Sequence, residues 1–146
     1  MSQPPTGARR FDDVAVGDEL PEVEHALTRD DLVAYAGASG DQNPIHQDEA
    51  AARAVGLPDV IAHGMLTMGL AGSAVEDWAG DPGAVVSFGT KFTQPVVVPA
   101  GAAAAVTVAG RVSARDEDAR TATVELTVTS AGVKVLGRAR AVVRLP

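Results

Sequence analysis

The sequence predicts an α+β domain in which a long buried central helix is wrapped by a curved antiparallel β-sheet. The helix is indicated by residues 60–80, VIAHGMLTMGLAGSAVEDWAG, whose apolar residues surround nearly every turn, as in a helix buried on most sides. The sheet is indicated by the region after Gly83, where stretches of strand-forming residues alternate with turn residues at positions 99–101, 116–118 and 130–132. At 146 residues, the chain is long enough for one such domain with its own core.

The N-terminal region divides into a predicted tail and a predicted β region. Residues 1–10, MSQPPTGARR, contain Pro, Gly and Ser without periodicity, which predicts a flexible tail and places the domain at residues 11–146. Residues 11–27 show short alternating pieces that are interrupted at Gly17, Asp18 and Pro21. This pattern predicts one or two strands.

Two short helices are predicted between this β region and the central helix. Thr28 stands at an N-cap position with Asp31 three residues later, a variant of the capping box, and predicts a helix over residues 29–37. Asp48 is expected to cap a second helix that ends at Gly56.

The central helix contains the glycines Gly64, Gly69 and Gly72. Each interior glycine costs a helix roughly 0.5–1 kcal/mol relative to alanine. The sequence therefore predicts that other backbone approaches this helix closely.

Composition and charge argue against several classes of protein. The chain has no cysteine, which excludes a disulfide scaffold, a thiol nucleophile and a cysteine-based zinc site. A formal net charge of −7 disfavours a nucleic-acid partner. The sequence shows neither a signal-peptide pattern nor an uninterrupted apolar segment of about 18 residues. These features predict a soluble cytoplasmic protein.

The stretch GDQNPIHQD, residues 40–48, places Asp41 and His46 five residues apart. On a helix these side chains would diverge by about 140°, and on a strand they would point to opposite faces. Asn43 and Pro44 between them form a turn signal that disfavours helix. The spacing therefore indicates a loop that aims an acid and a general acid/base at one point. The alternative is that Asp41 only bonds nearby backbone amides and that His46 faces solvent.

Residues 35–52, YAGASGDQNPIHQDEAAA, resemble the hydratase-2 motif of the MaoC-like dehydratases, with its aromatic residue, its Gly-Asp-x-Asn-Pro-aliphatic-His core and its alanine six positions after the histidine. The stretch AHGMLTMG that begins at Ala62 is similar to the start of that family's central helix. The resemblance runs from about residue 10 to the C-terminus and looks closest to the HadB-type catalytic subunit of (3R)-hydroxyacyl-ACP dehydratases. It implies a hot dog fold with residues 62–78 as the central helix.

The resemblance implies reversible dehydration of a (3R)-hydroxyacyl thioester, on CoA or acyl carrier protein, to the trans-2-enoyl thioester. It assigns Asp41 and His46 as the catalytic dyad and the Gly64 N–H as the donor to the thioester oxygen, while Asn43 and Pro44 shape the loop. An amide at the N-terminus of a buried helix lacks an intrahelical acceptor, which suits this use of Gly64. No cofactor is implied. The partner is expected to be a second copy of the chain or a sister MaoC-like subunit.

Other interpretations of the same residues stay open. A hot dog acyl-CoA thioesterase and a subunit inactive without its partner are the alternative functions. Asp41, His46 and His63 are competent zinc ligands, but their spacing fits no standard metal pattern, so no metal is predicted. His63 is interpreted as a structural residue of a turn, and His25 as a surface residue of a strand.

An acidic chain needs local positive charge to attract an acidic carrier. The residues predicted to supply it are Lys91, Arg111, Arg115, Lys134, Arg138, Arg140 and Arg144.

Overall fold

The computed structural model describes residues 7–146. Within this range six strands form one antiparallel sheet in the order β1-β3-β4-β6-β2, with β5 beside β4. The strands are β1 (Glu19–Leu27), β2 (Val85–Phe92), β3 (Ala104–Asp116), β4 (Thr121–Ser130), β5 (Val133–Lys134) and β6 (Leu136–Arg144). The central helix, α3 (Gly64–Ala79), contacts β1, β2, β3, β4 and β6. The predicted fold class is confirmed.

Two shorter helices, α1 (Arg29–Ser39) and α2 (Glu49–Ala54), lie where the sequence predicts them. Thr28 and Asp31 form a capping box, since each side chain accepts from the other residue's backbone N–H. The Asp48 side chain caps α2 by accepting from the amides of Ala50 and Ala51. The first part of the predicted β region is different, because Phe11–Asp13 forms a 3₁₀ helix and β1 is the single strand that follows it.

The core fills the space between α3 and one face of the sheet. Alternate residues of the central strands are fully buried, as the two-residue period of a half-buried strand requires. They pack with Ala71, Val75 and Trp78 of α3, which are also buried. The buried members from the strands include Val106, Val108, Val112, Val124, Val128, Ala141 and Val143.

The predicted close approach of backbone to the α3 glycines is wrong. A Cβ built on Gly64 would meet the Phe92 ring at 2.9 Å, and one on Gly72 would meet the Phe88 ring at 3.5 Å. Nothing lies within 4 Å of such an atom on Gly69. The glycines therefore accommodate aromatic side chains or face open space. The helix is also exposed along Met65, Gly69 and Ser73, because the sheet covers only its other side.

The N-terminal segment contacts the C-terminal end of α3. Residues 1–6 of the predicted tail lie outside the described residues, but Arg9, assigned to the same tail, is held in place. Its amide donates to the Ala79 carbonyl at 2.8 Å, and its Nε donates to the Trp78 carbonyl at 2.9 Å. Its guanidinium also lies 4.7 Å from the centre of the Trp78 ring. Arg9, which precedes the predicted start of the domain at Phe11, therefore makes defined contacts with α3.

Replacement of Gly80 is expected to test this contact. Gly80 and Gly101 have left-handed backbone, with φ of 71° and 70°, which costs a residue with a Cβ about 1–2 kcal/mol. A Cβ on Gly80 would also overlap the Gly7 carbonyl oxygen, whereas a Cβ on Gly101 would have no atom within 4 Å. Urea unfolding should therefore show a larger loss of stability for Gly80→Ala than for Gly101→Ala. Equal losses would contradict the contact of the N-terminal segment with α3.

Candidate active site

The loop between α1 and α2 is built from short local hydrogen bonds. Its 3₁₀ helix, Pro44–His46, begins with proline at a position where the missing N–H costs nothing. The Asn43 side chain accepts from the Ile45 amide at 3.2 Å, and the Asp41 carboxylate accepts from the Asn43 amide at 3.1 Å. The loop therefore turns within a few residues and brings the chain back toward Asp41.

Within this loop the structure brings Asp41 and His46 together. The Nε2 atom of His46 lies 3.9 Å from Oδ2 of Asp41, beyond direct hydrogen-bond range. The His46 residue is 7% exposed, whereas the Asp41 side chain is 53% exposed. An oxygen atom about 2.8 Å from each of these atoms would complete a hydrogen-bonded bridge between them. The pair can thus hold one hydroxyl or water between a buried and an accessible group.

The tautomer of His46 follows from its second nitrogen. Nδ1 lies 2.7 Å from the Ile61 carbonyl oxygen, and because a carbonyl only accepts, Nδ1 carries the proton. In the neutral ring Nε2 is then free to accept a proton on the side of Asp41. Ile61 is itself fixed, because its amide donates to Ile45 and the flanking residues Val60 and Ala62 hydrogen-bond to the strand-like segment 96–98.

The amide of Gly64 lies at the first turn of α3, where the helix dipole concentrates partial positive charge. No described residue accepts a hydrogen bond from this amide. The Phe92 ring lies over Gly64 and leaves no room for a side chain there. A backbone donor of this kind suits an oxygen that gains negative charge during a reaction.

A cavity of about 420 Å³ joins these groups. Its wall is largely apolar with a few polar groups, as is common in small-molecule sites. The lining residues are Asp41, His46, Ile61, Ala62, His63, Gly64, Met65, Thr67, Phe92, Thr93, Gln94, Pro95, Val96, Val135 and Leu136.

The sequence predicts only a structural role in a turn for His63. In the structure, its ring lies beneath the His46 ring. Only 1% of His63 is exposed, and its ring stacks on the His46 ring with centroids 3.8 Å apart and planes inclined by 22°. Its Nε2 donates to the backbone carbonyl of Asp41 at 3.1 Å. Tyr35 packs edge-on against the other side at 4.7 Å. The site thus contains three aromatic rings in contact, of which His46 and His63 are stacked and Tyr35 packs edge-on.

The same three residues could be considered as metal ligands, because Asp41, His46 and His63 each offer one ligand atom within 4.8 Å of the others. Zinc requires its histidine nitrogens about 2.0–2.1 Å away in the plane of each ring. Since the two imidazole planes are inclined by only 22° and their centroids are 3.8 Å apart, one ion at that distance cannot lie in the planes of both rings. The arrangement favours stacking over metal binding.

The relationship to known proteins is decided by residues 14–130, which match the family model described as a MaoC like domain. The chain belongs to the MaoC-like family. This MaoC-like domain is 32% identical over 137 residues to the (R)-specific enoyl-CoA hydratase of Rhodospirillum rubrum, across 93% of the chain and 91% of that relative. It is 43% identical over 66 residues to 3-hydroxyacyl-thioester dehydratase X of Mycobacterium tuberculosis, across 45% of the chain and 22% of that relative.

Solved structures of similar fold confirm the hot dog architecture. A MaoC-like dehydratase matches with a TM-score of 0.93 at 47% identity, over 96% of this chain and 43% of that one. A chain of the ChsH1–ChsH2 complex from Mycobacterium tuberculosis matches with a TM-score of 0.79 at 26% identity, over 90% of this chain and 98% of that one. The MaoC-like domain thus spans less than half of the first structure and about a fifth of dehydratase X.

Of the basic residues predicted to attract the carrier, two have side chains engaged in the fold and two others precede cavity-lining residues in the sequence. Arg115 stacks on Phe11 at 4.1 Å and Arg140 pairs with Glu125 at 3.1 Å, so both are engaged in the fold. Lys91 and Lys134 instead adjoin the cavity-lining residues Phe92 and Val135. They are the only lysines in the sequence.

Two further predictions from the sequence concern His25 and the relation of the chain to a membrane. His25 is in a strand, as predicted, but it is half-buried, and its Nε2 is enclosed without a described hydrogen-bond partner, so it is not a simple surface residue. Among the described residues, no helix is both long and apolar enough to cross a membrane. The cytoplasmic location stays a prediction.

Proposed function

We propose that this chain catalyses the reversible interconversion of (3R)-hydroxyacyl and trans-2-enoyl thioesters. The observation that carries the proposal is the convergence of the Asp41–His46 pair, 3.9 Å apart, and the free Gly64 amide on one apolar cavity. The names of the relatives, which are hydratases and dehydratases, support the same class of reaction.

The chemistry has two requirements that these groups match. Removal of a proton from C2 places negative charge on the thioester oxygen, which the Gly64 N–H stabilises; a single donor of this kind contributes roughly 10²–10³-fold. Departure of hydroxide from C3 requires a proton, and general acid–base catalysis contributes typically 10²–10⁴-fold. In hydration, Asp41 and His46 hold one water whose oxygen adds to C3 while C2 gains a proton. We treat the two residues as one dyad, with Asn43 and Pro44 shaping the loop that carries it.

The proposed reaction needs no redox or group-carrying cofactor, because water elimination transfers only a proton and hydroxide, and the dyad with the Gly64 amide supplies the groups that it requires. Activity is accordingly expected to persist in a metal chelator.

We infer that the domain functions as a dimer. The outer edge of β2 has no neighbouring strand among the described residues. Three large apolar side chains near that edge and the cavity are exposed, namely Met65 at 59%, Phe92 at 55% and Val86 at 47%. A second copy covers these groups in a homodimer. A sister MaoC-like subunit is the alternative partner, consistent with the likeness to a chain of the ChsH1–ChsH2 complex.

The carrier of the acyl group, CoA or acyl carrier protein, is anionic, and Lys91 and Lys134 are the basic residues that directly neighbour cavity-lining residues in the sequence. Lys91→Glu with Lys134→Glu is expected to raise KM for the carrier-bound substrate about tenfold or more and to leave kcat near that of the wild type. The matched control is Arg138→Glu with Arg140→Glu, which changes the charge equally on residues that do not adjoin the cavity lining. Equal effects of the two pairs would contradict a local role for the lysines.

The proposed function is tested by incubating the purified chain with a short trans-2-enoyl-CoA and following the loss of enoyl absorbance. Release of free thiol is measured in parallel. Hydration without thiol release is the expected result, and the product is expected to be the (3R) alcohol. Thiol release from saturated acyl-CoA would instead indicate a thioesterase. If the chain alone is inactive, adding a sister subunit or substrates on acyl carrier protein distinguishes a missing partner from a wrong reaction.

A further inference from the structure

We propose that His63 is a positioning residue that fixes the Asp41 carboxylate relative to His46; this inference rests on the proposed function. His63 does so through the hydrogen bond from its Nε2 to the Asp41 carbonyl, 3.1 Å long, which joins the first residue of the dyad to the start of α3. At the same time its ring supports His46 from below.

The two members of the dyad differ in how they are held. His46 is buried, lies in a 3₁₀ helix and donates to the Ile61 carbonyl at 2.7 Å. Asp41 is more than half exposed, and its other hydrogen bonds are local, to Ser39 and Asn43. The bond from His63 is therefore the one described hydrogen bond that ties Asp41 to a distant part of the fold, 22 residues away.

The unpaired nitrogen of His63 indicates which property of the ring matters. Because Nε2 carries the proton, Nδ1 is an acceptor, and it is buried without a described partner. A buried polar atom without a hydrogen bond is unfavourable. A phenylalanine would supply the same stacking without this cost. What histidine contributes here and phenylalanine would not is the Nε2–H donor. The role of His63 is therefore its hydrogen bond to the Asp41 carbonyl.

The test compares variants that separate the donor from the ring. His63→Phe retains an aromatic ring beneath His46 and loses the donor, whereas His63→Gln retains a donor and loses the ring. Since a displacement of about 1 Å can cost about 10²-fold in rate, His63→Phe is expected to lower kcat by roughly 10- to 100-fold with KM changed less than about threefold. His63→Gln is expected to recover part of the loss. A His63→Phe enzyme with the kcat of the wild type would overturn the proposal.

A double-mutant cycle distinguishes positioning of Asp41 from a general structural role. In an Asp41→Asn background, His63→Phe is expected to reduce the residual activity no further, because the group it positions is already lost. Losses that multiply would show that His63 acts independently of Asp41. Hydrogen exchange gives a readout without turnover: His63→Phe should speed exchange in residues 40–43 and leave α3 unchanged. Uniform acceleration throughout α3 would argue for a structural role.

A measurement on the unmodified protein keeps the proposal testable should a variant not fold. Nitrogen NMR of the wild type is expected to show His63 as the Nε2–H tautomer, and the Nδ1–H tautomer would refute the proposed hydrogen bond. The experiments distinguish a wrong role for His63 from a wrong reaction. An active wild type with a tolerant His63→Phe refutes only this inference, whereas an inactive wild type with every partner and carrier refutes the reaction itself.

Discussion

Asp41→Asn and His46→Ala are each expected to lower kcat for hydration of a trans-2-enoyl-CoA by about 10²–10⁴-fold. Asparagine keeps the size of the aspartate but cannot take up or release the proton, and alanine removes the ring nitrogen 3.9 Å away. Because both groups bind the same water, the double variant should be scarcely slower than the slower single variant. Steady-state rates measured at saturating substrate report these losses.

The controls replace the same residue types elsewhere. Asp30, exposed in the first turn of α1, and His25 of β1 do not line the cavity. Asp30→Asn and His25→Ala should retain kcat within about twofold. Activity that survives both Asp41→Asn and His46→Ala would remove the dyad from the mechanism.

Gly64→Pro is expected to remove the proposed oxyanion donor without removing the helix. Gly64 is the first residue of α3, where proline is well tolerated, and proline has no N–H. The preceding residue, His63, has φ of −58° and ψ of 132°, the extended conformation that proline favours in its predecessor. Loss of this single donor should lower kcat by roughly 10²–10³-fold.

The comparison must account for the Phe92 ring, because any Cβ at position 64 would lie 2.9 Å from it. Gly64→Ala has the same Cβ and keeps the N–H, so it is the matched control. Both changes are best made in a Phe92→Ala background, in which the ring no longer obstructs them. The ratio of kcat between the alanine and proline variants then measures the replacement of the N–H by the proline Cδ, separately from the effect of the added Cβ. A ratio near one would assign stabilisation of the thioester oxygen to another group.

Local signals in the sequence were sufficient for the elements that frame the site. The capping box at Thr28 starts α1 where predicted, and the helix continues to Ser39, two residues past the expected end, because Gly40 provides its left-handed C-cap. The central helix is predicted at residues 62–78. In the structure it begins two residues later, at Gly64, and ends at Ala79. These features depend on residues close together in the chain, which is why pattern and turn chemistry predict them.

The arrangement inside the site depends on contacts that no local pattern contains. His63 reaches the Asp41 carbonyl 22 residues earlier, and His46 reaches Ile61 15 residues later. Residues 60–62 in turn hydrogen-bond to residues 96–98, a contact between segments that are far apart in the sequence. The wrong prediction that backbone approaches the α3 glycines has the same origin. The glycines indicate that a neighbour comes close to the helix, but the sequence does not show that the neighbours are the side chains of Phe88 and Phe92.

The chain contains one tyrosine and one tryptophan, and they mark opposite ends of α3, Tyr35 by contact with the N-cap and Trp78 as a residue of the last turn. Tyr35 touches His63 where the helix begins, and Trp78 lies where the helix ends, beneath the Arg9 guanidinium. Their fluorescence therefore reports separately on the end of α3 at the candidate active site and on the contact of the N-terminal segment with the other end. Coincident transitions on heating would indicate that α3 melts as one unit, and a tyrosine signal that changes first would reveal an opening at the candidate active site alone.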